Sequence, residues 1–193
     1  ALIAGRNAVE QLDADLLVIG EMGIGNTTVA AAITAALLGG EPSSWVGRGT
    51  GVDQQGYERK CLAVDRAVTR VNAIEDPIEI LRQVGGAEIT AMTAAIVAAR
   101  IRRLPIVIDG FVVTSAALAL HQVSKNALDH CVFSHCSAES GHRKVLEHLN
   151  KPYLLDLDMR LGEGSGAMAA VPLIAMACAG VTEVPTFQEW FGS

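Results

Sequence analysis

The fold is decided by the stretch Leu16-Leu17-Val18-Ile19-Gly20-Glu21-Met22-Gly23-Ile24-Gly25-Asn26-Thr27-Thr28, an apolar tetrapeptide that runs into a glycine-rich turn. Four consecutive apolar residues without polar alternation are typical of a strand that is buried on both faces. The apolar periodicity that follows the turn predicts a helix over residues 27–38. The stretch is therefore a strand–turn–helix unit with its glycines at the carboxyl end of the strand.

The same pattern recurs along the chain. Short apolar strands linked by helices imply a parallel sheet whose two faces are covered. We therefore predict an α/β fold, a doubly wound Rossmann-like sandwich with a mostly parallel sheet and helices on both faces, in which residues 1–193 form one nucleotide-binding domain. The further strands are predicted over 106–108, 129–134 and 153–157, and the further helices over 57–72, 77–84, 87–103, 112–122 and 142–149.

Composition excludes several classes of protein. Of the 193 residues 50% are hydrophobic and 19% are charged, which is unlike a disordered chain, and the net charge of -6 argues against nucleic-acid binding. The four scattered cysteines are expected to be reduced thiols in the cytoplasm. Residues 164–181 fall short of the roughly 20 strongly apolar residues of a membrane span, so we predict a buried helix there and no membrane contact.

Ligands of such sheets bind beyond the carboxyl ends of the strands, so the turns there are where a site is expected. In the first turn, glycines and successive N–H groups at a helix start make an anion site, with Gly23, Gly25 and Asn26 as binding residues. No lysine follows these glycines and the G-x-G-x-x-G spacing is absent, which disfavours P-loop hydrolysis and dinucleotide binding. The alternative is a tight turn with Asn26 or Thr27 as an ordinary N-cap.

The second glycine-rich segment is Val46-Gly47-Arg48-Gly49-Thr50-Gly51-Val52-Asp53. Three alternating glycines cost about 0.5 to 1 kcal/mol each in ordering entropy relative to alanine, so we expect a ligand to approach this backbone. Arg48 and Lys60 are candidate partners for a phosphate. A lone helix lysine is more often simply solvated.

The third segment is Asp156-Leu157-Asp158-Met159-Arg160-Leu161-Gly162-Glu163-Gly164-Ser165-Gly166. Glu163 lies between Gly162 and Gly164, where neither a helix nor a strand needs a carboxylate. It is therefore a candidate catalytic base, or alternatively a carboxylate that stabilises the start of the next helix. Glu21 has the same two interpretations, and if both share a cleft, their repulsion would raise the pKa of one of them.

The fourth segment is Ser134-His135-Cys136-Ser137-Ala138-Glu139-Ser140-Gly141-His142. Its Cys and His spacings fit no standard zinc pattern, so no metal site is expected. We predict a polar loop in which Ser137 contacts a ligand and Ser140 caps the helix over 142–149.

These segments, in this order, resemble the nicotinate-nucleotide:dimethylbenzimidazole phosphoribosyltransferases. The resemblance is carried by residues 20–28 together with 159–167, and extends to residues 46–53, Lys60 and 134–142. It implies transfer of the 5-phosphoribosyl group of nicotinate mononucleotide to 5,6-dimethylbenzimidazole, with inversion to the α-ribotide and release of nicotinate. It also implies a Rossmann-like core, a homodimer, and neither a metal nor an organic cofactor.

The resemblance further implies roles for individual residues. Glu163 matches the catalytic base and Glu21 a second carboxylate, while Gly23, Gly49, Lys60 and Ser137 match positions around the nucleotide phosphate. We also expect Gly162 and Gly164 to border the substrate.

Only 19 residues precede Gly20, whereas members of the family carry a sizeable N-terminal portion there. The chain opens at Ala1 and is expected to be the C-terminal, larger part of a longer chain. Two alternatives to a competent enzyme follow, an incomplete half of a split enzyme and a non-catalytic module that binds a phosphorylated metabolite. A scaffold without a ligand is disfavoured because glycines at three strand ends are costly.

Overall fold

The computed structural model describes residues 1–49 and 51–192. Thr50, inside the second glycine-rich segment, and Ser193 lie outside these described residues. A single 3₁₀ turn, Pro42–Ser44, follows the second helix. In chain order the other elements are α1 (Leu2–Glu10), β1 (Leu17–Ile19), α2 (Asn26–Leu38), α3 (Gln54–Val71), α4 (Pro77–Val84), α5 (Gly86–Ile101), β2 (Ile106–Ile108), α6 (Phe111–Val123), β3 (Cys131–His135), α7 (His142–Leu149), β4 (Tyr153–Leu155), α8 (Ser165–Thr182) and α9 (Phe187–Phe191).

The four strands form one parallel sheet in the order β1-β2-β3-β4. Leu17 pairs with Ile106, Ile106 with Cys131 and Phe133 with Tyr153. All three residues of β2 are buried, as expected for a central strand covered on both faces. The predicted α/β class and parallel sheet are confirmed, and the carboxyl ends of all four strands lie at one edge.

Helices cover both faces of this sheet. Right-handed crossovers carry α6 and α7 to the same face, where α2 packs beside α6. Across the described residues the strand order advances in one direction, without the reversal of strand order that is typical of a doubly wound sheet. The other face is nevertheless covered by a helix. The start of α8 packs against all four strands there.

The prediction of a buried helix over residues 164–181 is wrong for the chain as described. The helix forms as Ser165–Thr182, but its buried residues, Gly166, Ala167 and Ala170, all lie in its first two turns. Beyond them it extends past the short sheet and exposes apolar side chains, among them Met168, Leu173 and Met176. Among the described residues, α8 alone is long and apolar enough to cross a membrane, with a mean hydropathy of 1.7. Length and composition do not distinguish such a span from a helix that packs against protein.

Strand boundaries differ from the prediction by at most two residues, and by two residues at the start of β3 and the end of β4. β3 begins at Cys131 because residues 124–129 form successive turns, in which the Ala127 N–H donates to the Ser124 carbonyl. β4 ends at Leu155, so the polar residues that follow belong to the loop before α8. Hydrogen bonds in the flanking turns therefore help to set where a strand begins, and apolar content alone does not predict that boundary.

Candidate active site

A cavity of about 460 Å³ opens at the carboxyl edge of the sheet. Its walls come from the loops that follow β1, β2, β3 and β4, together with the second glycine-rich segment and α3. Segments far apart in sequence therefore meet at one place. This is where a parallel α/β sheet binds its ligands.

The loops after β1 and β4 touch through their backbones. The Glu163 N–H donates to the Glu21 carbonyl over 2.9 Å. A Cβ atom at Gly20 would lie 2.1 Å from the Gly164 nitrogen, so only glycine allows the two chains to come this close. The contact brings Glu21 and Glu163 into the wall of the same cavity.

Glu163 adopts a left-handed backbone conformation, with φ of 59°. The region costs an L-residue roughly 1–2 kcal/mol, and at a ligand-facing position such strain is a reason to suspect function. The Glu163 side chain is exposed and lines the cavity. This backbone conformation therefore places a carboxylate at the cavity wall and does not serve the packing of the core.

Asp109, which the sequence analysis did not single out, holds this loop in place. Its side chain is 1% exposed and accepts the Gly164 and Ala167 N–H groups at 3.1 Å each, at the start of α8. Its Oδ1 atom lies 3.6 Å from Nδ1 of the buried His135. Burial lowers the pKa of His135, with Asp109 opposing that shift, so we take His135 to be neutral. The sequence signal that could have identified Asp109 is its charge directly after the buried strand β2.

Glu21 occupies a partly desolvated position in the cavity. Burial is the main cause that raises the pKa of its carboxyl, the Asn26 hydrogen bond opposes it, and Asp109, Glu163 and Glu88 add smaller repulsions. The Asn26 amide donates to Glu21 Oε2 at 2.6 Å. The raised pKa expected for one of the two carboxylates therefore belongs to Glu21, and desolvation contributes more to it than repulsion.

A second part of the cavity wall carries cationic and hydroxyl groups. Lys60 donates from Nζ to Thr27 Oγ1 and to the Gly47 carbonyl, each over 3.1 Å. These bonds tie α3 to α2 and to the second glycine-rich segment. Gly49 has φ of 57°, and a Cβ there would lie 3.2 Å from Lys60 Nζ. Glycine thus leaves the ammonium group room to face a ligand.

Ser137, which also lines the cavity, is held in place by the buried His142. His142 Nδ1 accepts the Ser137 N–H at 2.8 Å and lies 2.9 Å from Ser137 Oγ. Because Nδ1 accepts, the neutral ring carries its proton on Nε2, which lies 3.0 Å from Thr114 Oγ1. Thr114 in turn donates to the Gly110 carbonyl. The arrangement stabilises a neutral imidazole that orients Ser137.

The buried His142 makes stability sensitive to acid. Burial is the main cause that lowers its pKa to about 3, with His135 and Arg143 contributing. The unfolded chain, with a histidine pKa near 6.5, takes up this proton first, so stability falls as pH drops from 6.5 toward 3. We expect His142 to lower the free energy of unfolding by about 2 kcal/mol between pH 7 and pH 5.

Urea unfolding of the wild type and of His142→Gln at pH 7, 6 and 5 measures this contribution. His121, His130 and His135 also have lowered pKa values, so the variant keeps part of the acid sensitivity. The difference between the two pH profiles isolates His142. Parallel profiles would show that this histidine is already protonated or is solvated in the folded state.

Most of the residues singled out in the sequence lie at this cavity. Two do not line it: Asn26 lies behind Glu21, and Gly164 is buried with its N–H bonded to Asp109. The residues that do are Glu21, Gly23, Gly25, Arg48, Gly49, Lys60, Ser137, Gly162 and Glu163.

The expected helix caps are wrong. Gly25 is the N-cap of α2, because the Asn26 side chain bonds to Glu21. Ser140 does not cap α7, whose N-cap is Gly141, because the Ser140 hydroxyl donates to the Val46 carbonyl at 3.1 Å. The Asn26 side chain therefore holds Glu21 within the same turn, and Ser140 joins two loops.

Fold and cavity together define an α/β protein that binds a small ligand at the carboxyl ends of a parallel sheet. The profile of a family described as phosphoribosyltransferase matches residues 1–190. The chain belongs to this family.

Relatives and solved structures agree with that assignment. A nicotinate-nucleotide–dimethylbenzimidazole phosphoribosyltransferase of Methylocella silvestris is 56% identical over 91% of this chain and 52% of its own length. One of the same name from Cereibacter sphaeroides is 50% identical over 98% of this chain and 56% of its own. A crystal structure of CobT from Thermus thermophilus matches with a TM-score of 0.92 at 46% identity, covering 100% of this chain and 58% of that one. The chain thus spans about half the length of the curated relatives it matches.

Proposed function

We propose that this chain carries the nucleotide site and catalytic carboxylates of an enzyme that transfers the 5-phosphoribosyl group of nicotinate mononucleotide to 5,6-dimethylbenzimidazole. The products are α-ribazole 5′-phosphate and nicotinate. The observation that carries the proposal is that two separate polar groups line one cavity. Glu21 and Glu163 lie on two touching loops, whereas Lys60 is bonded to Thr27 and Gly47. A nucleotide needs this separation, because its phosphate and its anomeric carbon are at opposite ends of the ribose.

Glu163 is the proposed general base. Its carboxylate takes the azole N–H proton while the other azole nitrogen attacks C1′ of the ribose. The bond between C1′ and the pyridine nitrogen breaks as the new bond forms on the opposite face, which inverts the configuration. Nicotinate leaves with the electron pair of that bond and needs little acid assistance, because its ring nitrogen departs from a cationic state.

Glu21 is the proposed second carboxylate near C1′. Positive charge builds at the anomeric carbon as the pyridine departs, and a carboxylate in a partly desolvated wall stabilises that charge more strongly than one in water. Asn26 donates to Glu21 Oε2, which fixes the orientation of this carboxylate. Because its pKa is raised, Glu21 loses its charge at a less acid pH than an ordinary glutamate, so activity is expected to fall as the solution is acidified.

The phosphate is proposed to lie at the Lys60 end. Lys60 and the Ser137 hydroxyl supply donors there, and Gly49 lets the backbone approach closely. A cavity with this many carboxylates attracts a dianion only through local donors of this kind. No metal or organic cofactor enters the proposed reaction.

Incubation of the purified chain with nicotinate mononucleotide and dimethylbenzimidazole tests the proposal. Release of nicotinate together with α-ribazole 5′-phosphate, separated by chromatography, is the expected result. Saturable binding of nicotinate mononucleotide without product would identify the chain as a binding module or as an incomplete half enzyme. Absence of binding would refute the proposed substrate.

We also propose that the chain forms a homodimer in the cytoplasm. The exposed apolar side chains of α8 and α9 favour a covered surface, and Trp190 and Phe187 are 72% and 83% exposed. All four cysteines are free thiols, as a reducing compartment requires. Light scattering of the purified chain gives the mass that decides between a monomer and a dimer.

A further inference from the structure

The loop before α8 spans the cavity from one end to the other. At its start the Met159 carbonyl accepts the Ala138 N–H at 2.9 Å, beside Ser137. At its end the Glu163 N–H donates to the Glu21 carbonyl, also over 2.9 Å. Arg160 follows the first of these anchors directly, so its backbone lies beside the loop that carries Ser137.

Arg160 differs from the other cations of the cavity in having no partner among the residues that the structure describes. Arg48 donates to the Val52 carbonyl and to Gln54, and Lys60 donates to Thr27 and Gly47. Within residues 1–49 and 51–192, Arg160 makes neither a side-chain hydrogen bond nor an ion pair, although it lines the cavity and is exposed. Its guanidinium is therefore available to a ligand.

Glu139 lies in the same region and supports this placement. Burial is the main cause that raises the pKa of its carboxyl, and Lys60 and Arg160 are the two cations that oppose the rise. Arg160 has no such influence on Glu21. Glu139 Oε2 is buried without a hydrogen-bond partner among the described residues. The charges of Lys60 and Arg160 therefore act on the same carboxylate.

We infer that Arg160 binds the substrate phosphate together with Lys60, as a second cation that closes over the phosphate from the loop before α8. The inference rests on the proposed function and assigns a residue that the glycine-rich segments and Lys60 do not account for. A guanidinium offers paired N–H donors that match two phosphate oxygens, while Lys60 acts as a point charge. Two cations also offset a phosphate dianion in a cavity whose wall holds Glu21, Asp109, Glu139 and Glu163.

The alternative ligand group for Arg160 is the pyridine carboxylate of nicotinate. The pyridine ring that carries this carboxylate is attached at C1′, where the proposed chemistry places Glu163. Arg160 follows Met159, whose carbonyl is bonded to the Ala138 N–H, so the inference assigns the phosphate to Arg160. The two assignments predict different losses for substrates that lack one anion or the other.

Isothermal titration of the full chain with three ligands tests the inference. The ligands are nicotinate mononucleotide, nicotinate riboside, which lacks the phosphate, and nicotinamide mononucleotide, which lacks the carboxylate. We expect Arg160→Gln to weaken both mononucleotides by at least about tenfold and to leave the riboside unchanged, because a hydrogen-bonded charge pair is lost. Arg160→Lys is expected to recover part of the affinity, since it restores the charge without the planar fork.

Arg143→Gln is the matched control. Arg143 is an exposed arginine that pairs with Asp156 at 2.7 Å and does not line the cavity. Its replacement is expected to leave all three affinities unchanged. Thermal unfolding of each variant shows that the exposed substitutions do not disturb the fold.

The possible results separate the inference from the proposed function. Equal affinity of the wild type and Arg160→Gln for nicotinate mononucleotide would overturn the role of Arg160 and leave the proposed function standing. Equal losses for the riboside and nicotinate mononucleotide, with nicotinamide mononucleotide unaffected, would move Arg160 to the pyridine carboxylate and also overturn the inference. A wild type that binds none of the three would overturn both.

Discussion

Glu163→Gln is expected to lower the rate of nicotinate release by at least about 100-fold, the contribution that a positioned general base typically makes. Glutamine keeps the size and the hydrogen-bonding atoms of the side chain but cannot take the azole proton. The Glu163 N–H bond to Glu21 involves the backbone and survives the substitution. Binding of nicotinate mononucleotide is therefore expected to change little, and the loss to appear in kcat.

Glu183→Gln is the control for this experiment, because Glu183 follows α8 at its far end and does not line the cavity. It removes one carboxylate of the same kind and is expected to leave the rate unchanged. Wild-type turnover in Glu163→Gln would show that another group takes the proton. Glu21→Gln would then be the next variant to measure.

Gly20→Ala is expected to destabilise the chain by about 2–3 kcal/mol, the usual cost of forcing atoms into a packed site. The new Cβ would lie 2.1 Å from the Gly164 nitrogen and 2.5 Å from its Cα, and neither backbone atom can move aside alone. The loop before α8 has to retreat, which breaks the bond between Glu163 and Glu21 and displaces the base. We therefore expect both a lower midpoint of urea unfolding and a loss of turnover.

Gly180→Ala supplies the comparison, since a Cβ at this position in α8 has nothing within 4 Å. In a helix this change is expected to stabilise by about 0.5–1 kcal/mol. If Gly20→Ala lowers the free energy of unfolding and Gly180→Ala raises it, the close approach of the two loops, and not the loss of a glycine as such, causes the destabilisation. A Gly20→Ala protein as stable as the wild type would mean that the two loops are further apart in solution.

The sequence predicts those parts of the site that are local to a strand end. The glycine-rich turn after β1 and the Gly162-Glu163-Gly164 run identify loops that must adopt unusual backbone conformations, and both reach the cavity. A parallel sheet brings the carboxyl ends of its strands to one edge. Local pattern and topology together were therefore enough to place Glu21 and Glu163 near each other.

What the sequence does not predict depends on contacts between distant residues. Asp109 acts on α8 through hydrogen bonds that link positions 55 and 58 residues apart. His142 orients Ser137 only because α6 and α7 pack side by side and bring Thr114 within reach of its ring. The Ser140 cap was wrong for the same reason, since its hydroxyl donates to the distant Val46 carbonyl. Asn26 instead bonds within its own turn, to Glu21.

The exposure of α8 has a different cause. Its composition predicts burial, and burial needs a covering surface, which the four short strands provide only for the first turns. Apolar periodicity predicts that a helix face is covered, but it does not identify the surface that covers it. The hydrophobicity of residues 165–182 therefore does not identify the surface that covers this helix.

The left-handed backbone at position 163 sets stability against the catalytic role proposed for Glu163. Glycine tolerates that φ of 59° without the roughly 1–2 kcal/mol that a Cβ costs. A laboratory screen that rewards only resistance to heat is thus expected to enrich glycine there and to discard the acidic group. Efforts to raise the thermal stability of this protein should therefore keep glutamate at position 163.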